Sequence, residues 1–326
     1  MSLRALLKWW DEFFFKPTSP LPVAIFRIAF GFLICVMLVT ESMPDWDFWY
    51  GPHSPVQMDL IREYFYHCPV FNFLDIVPAS ANHGFMWVVL ASAVCMTIGL
   101  FTRMNCIFIW MMLTSLDHQN PWNISGSDDF MRLMSFCLMF TPCGEALSVD
   151  AWWKRKHHPE RVKTAYAPWG QRMLQIQLAL SYWGASAAKI SGNQWIDGTA
   201  VYYSSHLQDF TRLPVGHLFD SLAMCQFLSW STLVIETSLW LLIWFKEIRY
   251  WVLLGGLLLH IGIDYSMTLP IFEMQFVAAY ILFVEPEDIA KMGNWLRSLA
   301  RLPFRPPAKQ PQSVAAAASP LVEYTD

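Results

Sequence analysis

Charge is scarce in this sequence: Asp, Glu, Lys and Arg make up 15% of its 326 residues, whereas 55% are hydrophobic. A water-soluble domain carries about a quarter charged residues. A chain this apolar cannot hide its surface in one aqueous core, so lipid must solvate much of it. There is no P-loop, no Gly-x-Gly-x-x-Gly following a strand, no Cys-x-x-Cys pair and no internal repeat, which excludes the phosphate-cradling, dinucleotide-binding and dithiol chemistries those patterns carry. Gly184 near Ser186 lacks the strand-turn-helix setting of a nucleophile elbow. Of seven cysteines, Cys35, Cys95, Cys106, Cys137 and Cys225 sit in apolar runs, where they read as small packing residues. Cys68 alone falls in an external loop, so no disulfide framework is implied. No second histidine stands at ligand spacing from His260, and no metal is expected there.

What is present are apolar runs, at residues 21–40, 85–101, 104–116, 130–141, 173–188, 222–245, 250–263 and 271–284. They predict an all-α, polytopic membrane bundle of about eight segments. A straight crossing takes ~20 residues, so 104–116 and 130–141 must either borrow flanking polar residues or follow a re-entrant path. Seventeen tryptophans suit the interfacial belts of such a protein. Basic residues then fix the orientation. With the N-terminus, the Arg103 turn, the Glu145–Arg172 loop, the Lys246–Arg249 turn and the C-terminal tail on the cytoplasmic side, those segments hold 17 of the 22 Lys and Arg, and the opposite loops hold only Arg62 and Arg212. N-in and C-in is the expected topology, in a bacterial inner membrane.

Four regions follow: an amphipathic interfacial helix over 1–16, with no cleavable-signal pattern; the membrane domain over 17–285; an amphipathic cytoplasmic segment over 286–302; and a tail over 303–326 whose prolines and alanine run predict disorder. Two external loops, Glu41–His83 and Ile190–Ser221, are long enough to carry structure of their own.

The polar residues inside apolar runs are the candidates for function, since each is costly there. Lys189 ends the fifth run after Gly184-Ala185-Ser186-Ala187-Ala188, a stretch small enough for close helix approach. Partial desolvation of its amine would favour the neutral form and hence a base; the competing reading is a lysine snorkelling to the headgroups. His260 has Asp264 one turn away on the same face, so that carboxylate is expected to orient the imidazole; a satisfied core histidine is the plainer alternative. The run Asp117-His118-Gln119-Asn120-Pro121-Trp122-Asn123-Ile124-Ser125-Gly126-Ser127-Asp128-Asp129 is the densest polar stretch, and Asp128 stands i, i+4 from Arg132. Irregular backbone at that depth needs protein or a wet cavity around it. Arg27 and Glu236, at similar cytoplasmic depth, are expected to form a structural ion pair. Glu273, near the outer start of the last run, is expected to face the external cavity.

Several of these residues resemble the HTTM family, the integral-membrane domain shared with vitamin K-dependent γ-glutamyl carboxylase. The resemblance spans Pro17–Glu285. It rests on Leu21-Pro22-Val23-Ala24-Ile25-Phe26-Arg27-Ile28-Ala29-Phe30-Gly31, on Phe48-Trp49-Tyr50-Gly51-Pro52-His53-Ser54, on Trp122-Asn123, and on Leu147-Ser148-Val149-Asp150. Ala188-Lys189-Ile190 through Trp195 and Gly198–Tyr203, and Leu258-Leu259-His260 before Phe272 and Met274, complete it. It implies that Lys189 deprotonates a reduced quinone, vitamin K or menaquinone, that oxygen adds, and that the strong base so formed takes a proton from glutamate so that carbon dioxide can attach. His260 would stabilise the oxygenated species, with Trp122, Asn123, Asp128, Asp129, Arg132, Trp195, Asp264 and Glu273 around the cavity. Two departures stand out. Ile124-Ser125-Gly126 replaces the carboxylase's histidine after Trp-Asn, and the large extramembrane domain that grips a peptide has no counterpart here, as in small bacterial members of the family. The alternatives are a noncatalytic membrane factor for maturation, export or immunity of a secreted peptide, and a small-molecule transporter. The expected partners are the lipid bilayer and a secreted peptide or protein, not nucleic acid.

Overall fold

A computed structural model of the protein describes residues 2–51, 54–55, 58–64, 70–207, 210–212, 219–269 and 271–300. The tail expected to be disordered, together with Cys68, Pro52 and His53, lies outside the described residues. Among those described, regular structure is helical and no strand forms. Two isolated bridges, Thr18 with Tyr166 and Thr211 with Met267, tie loops together.

The principal helices are α1 (Leu3–Phe15), α2 (Leu21–Met37, prolonged by a π-helical turn, Leu38–Ser42), α3 (Asn82–Ile98), α4 (Thr102–Gln119), α5 (Gly126–Leu138), α6 (Val149–His157), α7 (Trp169–Ile190), α8 (Leu222–Leu241), α9 (Arg249–Ser266), α10 (Phe272–Ala279, prolonged by a 3-10 turn, Tyr280–Phe283) and α11 (Pro286–Ala300). Each of the eight apolar runs falls on one of them. Only Leu21–Ser42 is both long and apolar enough to cross a bilayer by itself among the described residues; Asn82–Ile98 and Phe272–Phe283 are apolar but shorter. The thirteen residues of α5 rise about 20 Å, short of a ~30 Å hydrocarbon core.

The chain divides into two compact units, Met1–Pro286 and Glu287–Asp326. Within the first, sequence neighbours pack on one another: α2 on α3, α3 on α4, α4 on α5, α5 on α7, α7 on α8, α8 on α9 and α9 on α10, which returns to α2. The core this encloses includes Phe26, Phe30 and Ile34 of α2, Met96 of α3, Ile109 of α4, Met134 of α5 and Leu174 and Leu178 of α7, all 1% exposed or less.

The expected Arg27–Glu236 pair does not form. Arg27 is fully buried, and its guanidinium donates to main-chain carbonyls: Cys143 at 2.6 Å, Leu147 at 2.6 Å, Thr97 at 3.4 Å and Ala146 at 3.5 Å. The physical reason is that Pro142–Leu147 is a tight non-helical turn whose carbonyls have no helical partners, and a guanidinium with five donors can satisfy several at once. Glu236 lies on α8, against α7 and α9, and finds its cation there. The same locus explains Leu147-Ser148-Val149-Asp150. Ser148 caps α6 through Ala151 N at 2.9 Å. The Asp150 carboxylate caps α4, accepting from Phe101 N at 2.9 Å, Thr102 N at 2.7 Å and the Thr102 hydroxyl at 2.6 Å. Gly99 ends α3 at φ +73°, where a Cβ would strike Ser148 and lie 2.8 Å from Arg27 Nη1, so only glycine closes that helix there.

Candidate functional site

A cavity of about 710 Å³ opens among α7, α8, α9 and α10, with a largely apolar wall to which Phe227, Ile235, Leu258 and Phe276 contribute. That is within the range of pockets that take small molecules. Its polar groups come from four helices. Lys189 ends α7, in register with Tyr182 two turns earlier; Glu236 comes from α8, His260 from α9 and Glu273 from the start of α10. Of the small residues before Lys189, Ser186 is buried in a helix that packs closely on α8, but Gly184 and Ala185 do not take part in such a contact. A Cβ at Gly184 would meet nothing within 4 Å, and Ala185 lines the cavity instead, so small side chains here leave room.

Two acid-base groupings face this space. In the first, Lys189 Nζ donates to Glu236 Oε1 at 2.9 Å, and the ammonium lies 5.3 Å from the centre of the Trp195 ring, within cation–π range. In the second, His260 Nδ1 meets Glu273 Oε2, Nε2 lies 2.5 Å from the Tyr182 hydroxyl, and Tyr182 lies 2.7 Å from the Tyr280 hydroxyl. An ionised Glu273 only accepts. It therefore holds the proton on Nδ1 and leaves Nε2 to accept from Tyr182, whose oxygen in turn accepts from Tyr280. Phe276 stacks on the imidazole at 5.4 Å and 15°. Gly256, one turn before His260, makes room for Tyr280, whose hydroxyl a Cβ would overlap.

Both carboxylates are buried, and each keeps one oxygen, Glu236 Oε2 and Glu273 Oε1, without a hydrogen-bond partner among the described residues. Buried polar atoms are nearly always paired, so these two oxygens, in residues that line one cavity, are exceptions at the site.

The other predicted residues distribute differently. Asp264 does not orient His260. It receives both Arg212 terminal nitrogens, at 3.1 and 3.2 Å, because the Arg212 main chain is tied to Ser266 O at 3.1 Å beside it, while the buried imidazole is reached from across the helix pair by the more deeply buried Glu273. Asp128 does not pair with Arg132. Its carboxylate accepts from Ser125 N at 2.8 Å and closes a capping box at the start of α5, as an acid at N3 does. Arg132 meets Asp117 at 3.0 Å, and also Asp129. Trp122 is exposed and does not line the large cavity, and the Asn123 side chain lies outside the described residues. Tyr182 and Tyr280 were not singled out from the sequence. The signal was available, since Tyr182 precedes Lys189 by seven residues and Tyr280 follows Glu273 by seven, each pair on one helix face.

Residues 15–287 match the HTTM domain family. An uncharacterized protein, YitO, of Bacillus subtilis (strain 168) is 25% identical over 232 residues, which is 66% of this chain and 71% of that protein. No solved structure matches the chain.

Proposed function

This chain belongs to the HTTM domain family, and from that premise we propose that it is an integral membrane protein whose large cavity binds a lipid-soluble quinone and carries out acid-base chemistry on it. The proposed topology is the eight-segment, N-in and C-in arrangement read from the apolar runs and the basic loops, in a bacterial inner membrane, with the cavity toward the outer leaflet. One observation carries the reading: a largely apolar cavity joins the Lys189–Glu236 pair to the Glu273–His260–Tyr182–Tyr280 chain, with an unpartnered carboxylate oxygen from each.

The residues present suit a reduced quinone. Its ring would lie against the apolar wall, and its two hydroxyls are donors of the kind that Glu236 Oε2 and Glu273 Oε1 lack. When bound, a reduced quinone supplies electrons to oxygen and, through that reaction, a base strong enough for difficult carbon acids such as glutamate, to which carbon dioxide could then add. What this chain contributes is proton handling. With the proton of the Lys189–Glu236 pair on the carboxyl group, Lys189 is a neutral amine that takes a proton from a hydroxyl beside it and becomes an ammonium opposite the oxyanion so formed, while Glu236 remains the acid. Glu273 fixes the tautomer of His260, whose Nε2 and the two tyrosine hydroxyls form a line along which a proton moves without bulk water.

The test is direct. Purified protein with reduced menaquinone or vitamin K and oxygen is expected to form the epoxide, and Lys189→Ala to form at least 100-fold less, the order of a lost general base. Equal product from both proteins excludes lysine-based catalysis. A second reading, a noncatalytic membrane factor for a secreted peptide, is favoured by the closure of Lys189 on Glu236. It predicts quinone binding without turnover in either protein.

A further inference from the structure

A second, much smaller cavity of about 70 Å³ lies away from the first, between the π-helical turn that ends α2, the end of α4 and the start of α5. Three carboxylates from these three elements, Glu41, Asp117 and Asp128, line it, together with Asn120, Trp49 and Tyr50. Among the described residues, the only ion pair of the three is that of Asp117 with Arg132, which Asp129 shares. Glu41 has no ion-pair partner among the described residues. Asn120 is 3% exposed, and both its amide nitrogen and its amide oxygen lack a partner among the described residues. A buried amide with four unused hydrogen-bond positions, on the wall of a polar space large enough for several water-sized particles, is a group placed for a ligand.

We infer that this cavity binds a small cation of single charge. The sign follows from the surplus of carboxylates over the one guanidinium. The type follows from geometry: no group of three or more His, Cys, Asp or Glu among the described residues is arranged to hold a metal ion directly. A calcium ion takes about six to eight close oxygen ligands. A monovalent ion that keeps part of its water, or an ammonium group donating to Asn120 Oδ1 and Glu41, does not. The π-turn aims Glu41 here. An extra residue in a helical turn is a feature that recurs at functional sites, and without it Glu41 would lie about 100° further round α2. The site is independent of the quinone reading, since it shares no lining residue with the large cavity.

The experiment is thermal unfolding of the full chain in detergent, at constant ionic strength maintained with N-methylglucamine chloride, titrated separately with NaCl, KCl, ammonium chloride, MgCl2 and CaCl2. A saturable rise in midpoint of about 3 °C or more is expected with at least one of the first three, with the preference between metal ion and ammonium naming the source. The rise is expected to vanish in Glu41→Gln and in Asn120→Ser, conservative changes at groups with no structural partner. Absence of any saturable shift in the natural protein, or an equal shift in it and both variants, overturns the proposal. A shift produced only by Mg2+ or Ca2+ overturns the assignment to a single charge. Loss of epoxide formation bears on the large cavity alone.

Discussion

Two regions of this protein bury charge, and they do so by opposite means. Around Arg27 the charge is largely closed: the guanidinium meets main-chain carbonyls of Cys143, Ala146, Leu147 and Thr97 and leaves only Nε without a partner among the described residues, the adjoining Asp150 is spent on three donors at the start of α4, and the packing is tight enough that Gly99 admits no Cβ. Around Lys189 and His260 the charge is left open. The carboxylates meet one partner each and keep their second oxygens unpartnered among the described residues, in side chains that line a cavity of about 710 Å³. A buried charge whose hydrogen-bonding capacity is largely used by the backbone holds the fold together. One that keeps capacity in reserve beside empty space is poised for something else, because the cost of an unmet buried acceptor persists until a ligand meets it.

The sharpest way to break this contrast is Arg27→Met. It leaves the Cys143, Ala146 and Leu147 carbonyls buried without their donor, and a loss of about 3–5 kcal/mol is expected. Size-exclusion profiles in detergent would show it as aggregated or absent protein. A normal monodisperse peak with an unchanged midpoint would mean that the carbonyl cage is not what secures this end of the bundle. Glu273→Gln probes the other region. The amide oxygen can still accept from His260 Nδ1, so the midpoint should stay within a few degrees, while epoxide formation falls about 100-fold, equivalent to about 2.7 kcal/mol in the barrier. Loss of folding and activity together would place Glu273 with Arg27 as a structural residue. Asp150→Ala, on the closed side, removes a cap from α4 and is expected to cost about 1–2 kcal/mol, visible as a lower midpoint and leaving quinone binding intact.

The smallest effect concerns Glu285, just past the 3-10 turn that ends α10. Burial alone would raise its pKa, but hydrogen bonding from Arg249 at 2.8 Å and the charge of Lys246 at 3.3 Å outweigh that and hold it below the ordinary carboxylate value of 4.5. Since the folded pKa is the lower one, the stabilisation is complete above about 4.5 and is lost as pH falls through the depressed folded value. Stability measured from pH 6 down to pH 3 should therefore decline less steeply in Glu285→Gln than in the natural protein. Parallel curves would remove this ion pair from the stability of the cytoplasmic-side turn proposed here.

Much of this was legible without coordinates. The apolar runs located eight helices because hydrophobic patterning acts over whole turns. Arg27 could be read as buried, since a lone charge in so apolar a run must be held by protein. Lys189, His260 and Glu273 were all recognisable as polar residues in apolar company, and they do meet at one cavity. The partners were not legible. Asp264 is the nearest carboxylate to His260 in sequence, but Glu273, thirteen residues on, is nearest in space; Arg132 passes over Asp128 for Asp117 and Asp129. Arg27 and Glu236 satisfy the same depth argument and never meet.

Sequence by itself determined which stretches are helical, which residues pay for being inside them, and the family to which the chain belongs. Tertiary structure alone decided who faces whom. Each residue along a helix turns its side chain by about 100° and moves it only ~1.5 Å, so a one-residue change of register between two helices exchanges one partner for another while leaving the hydrophobic pattern of both untouched.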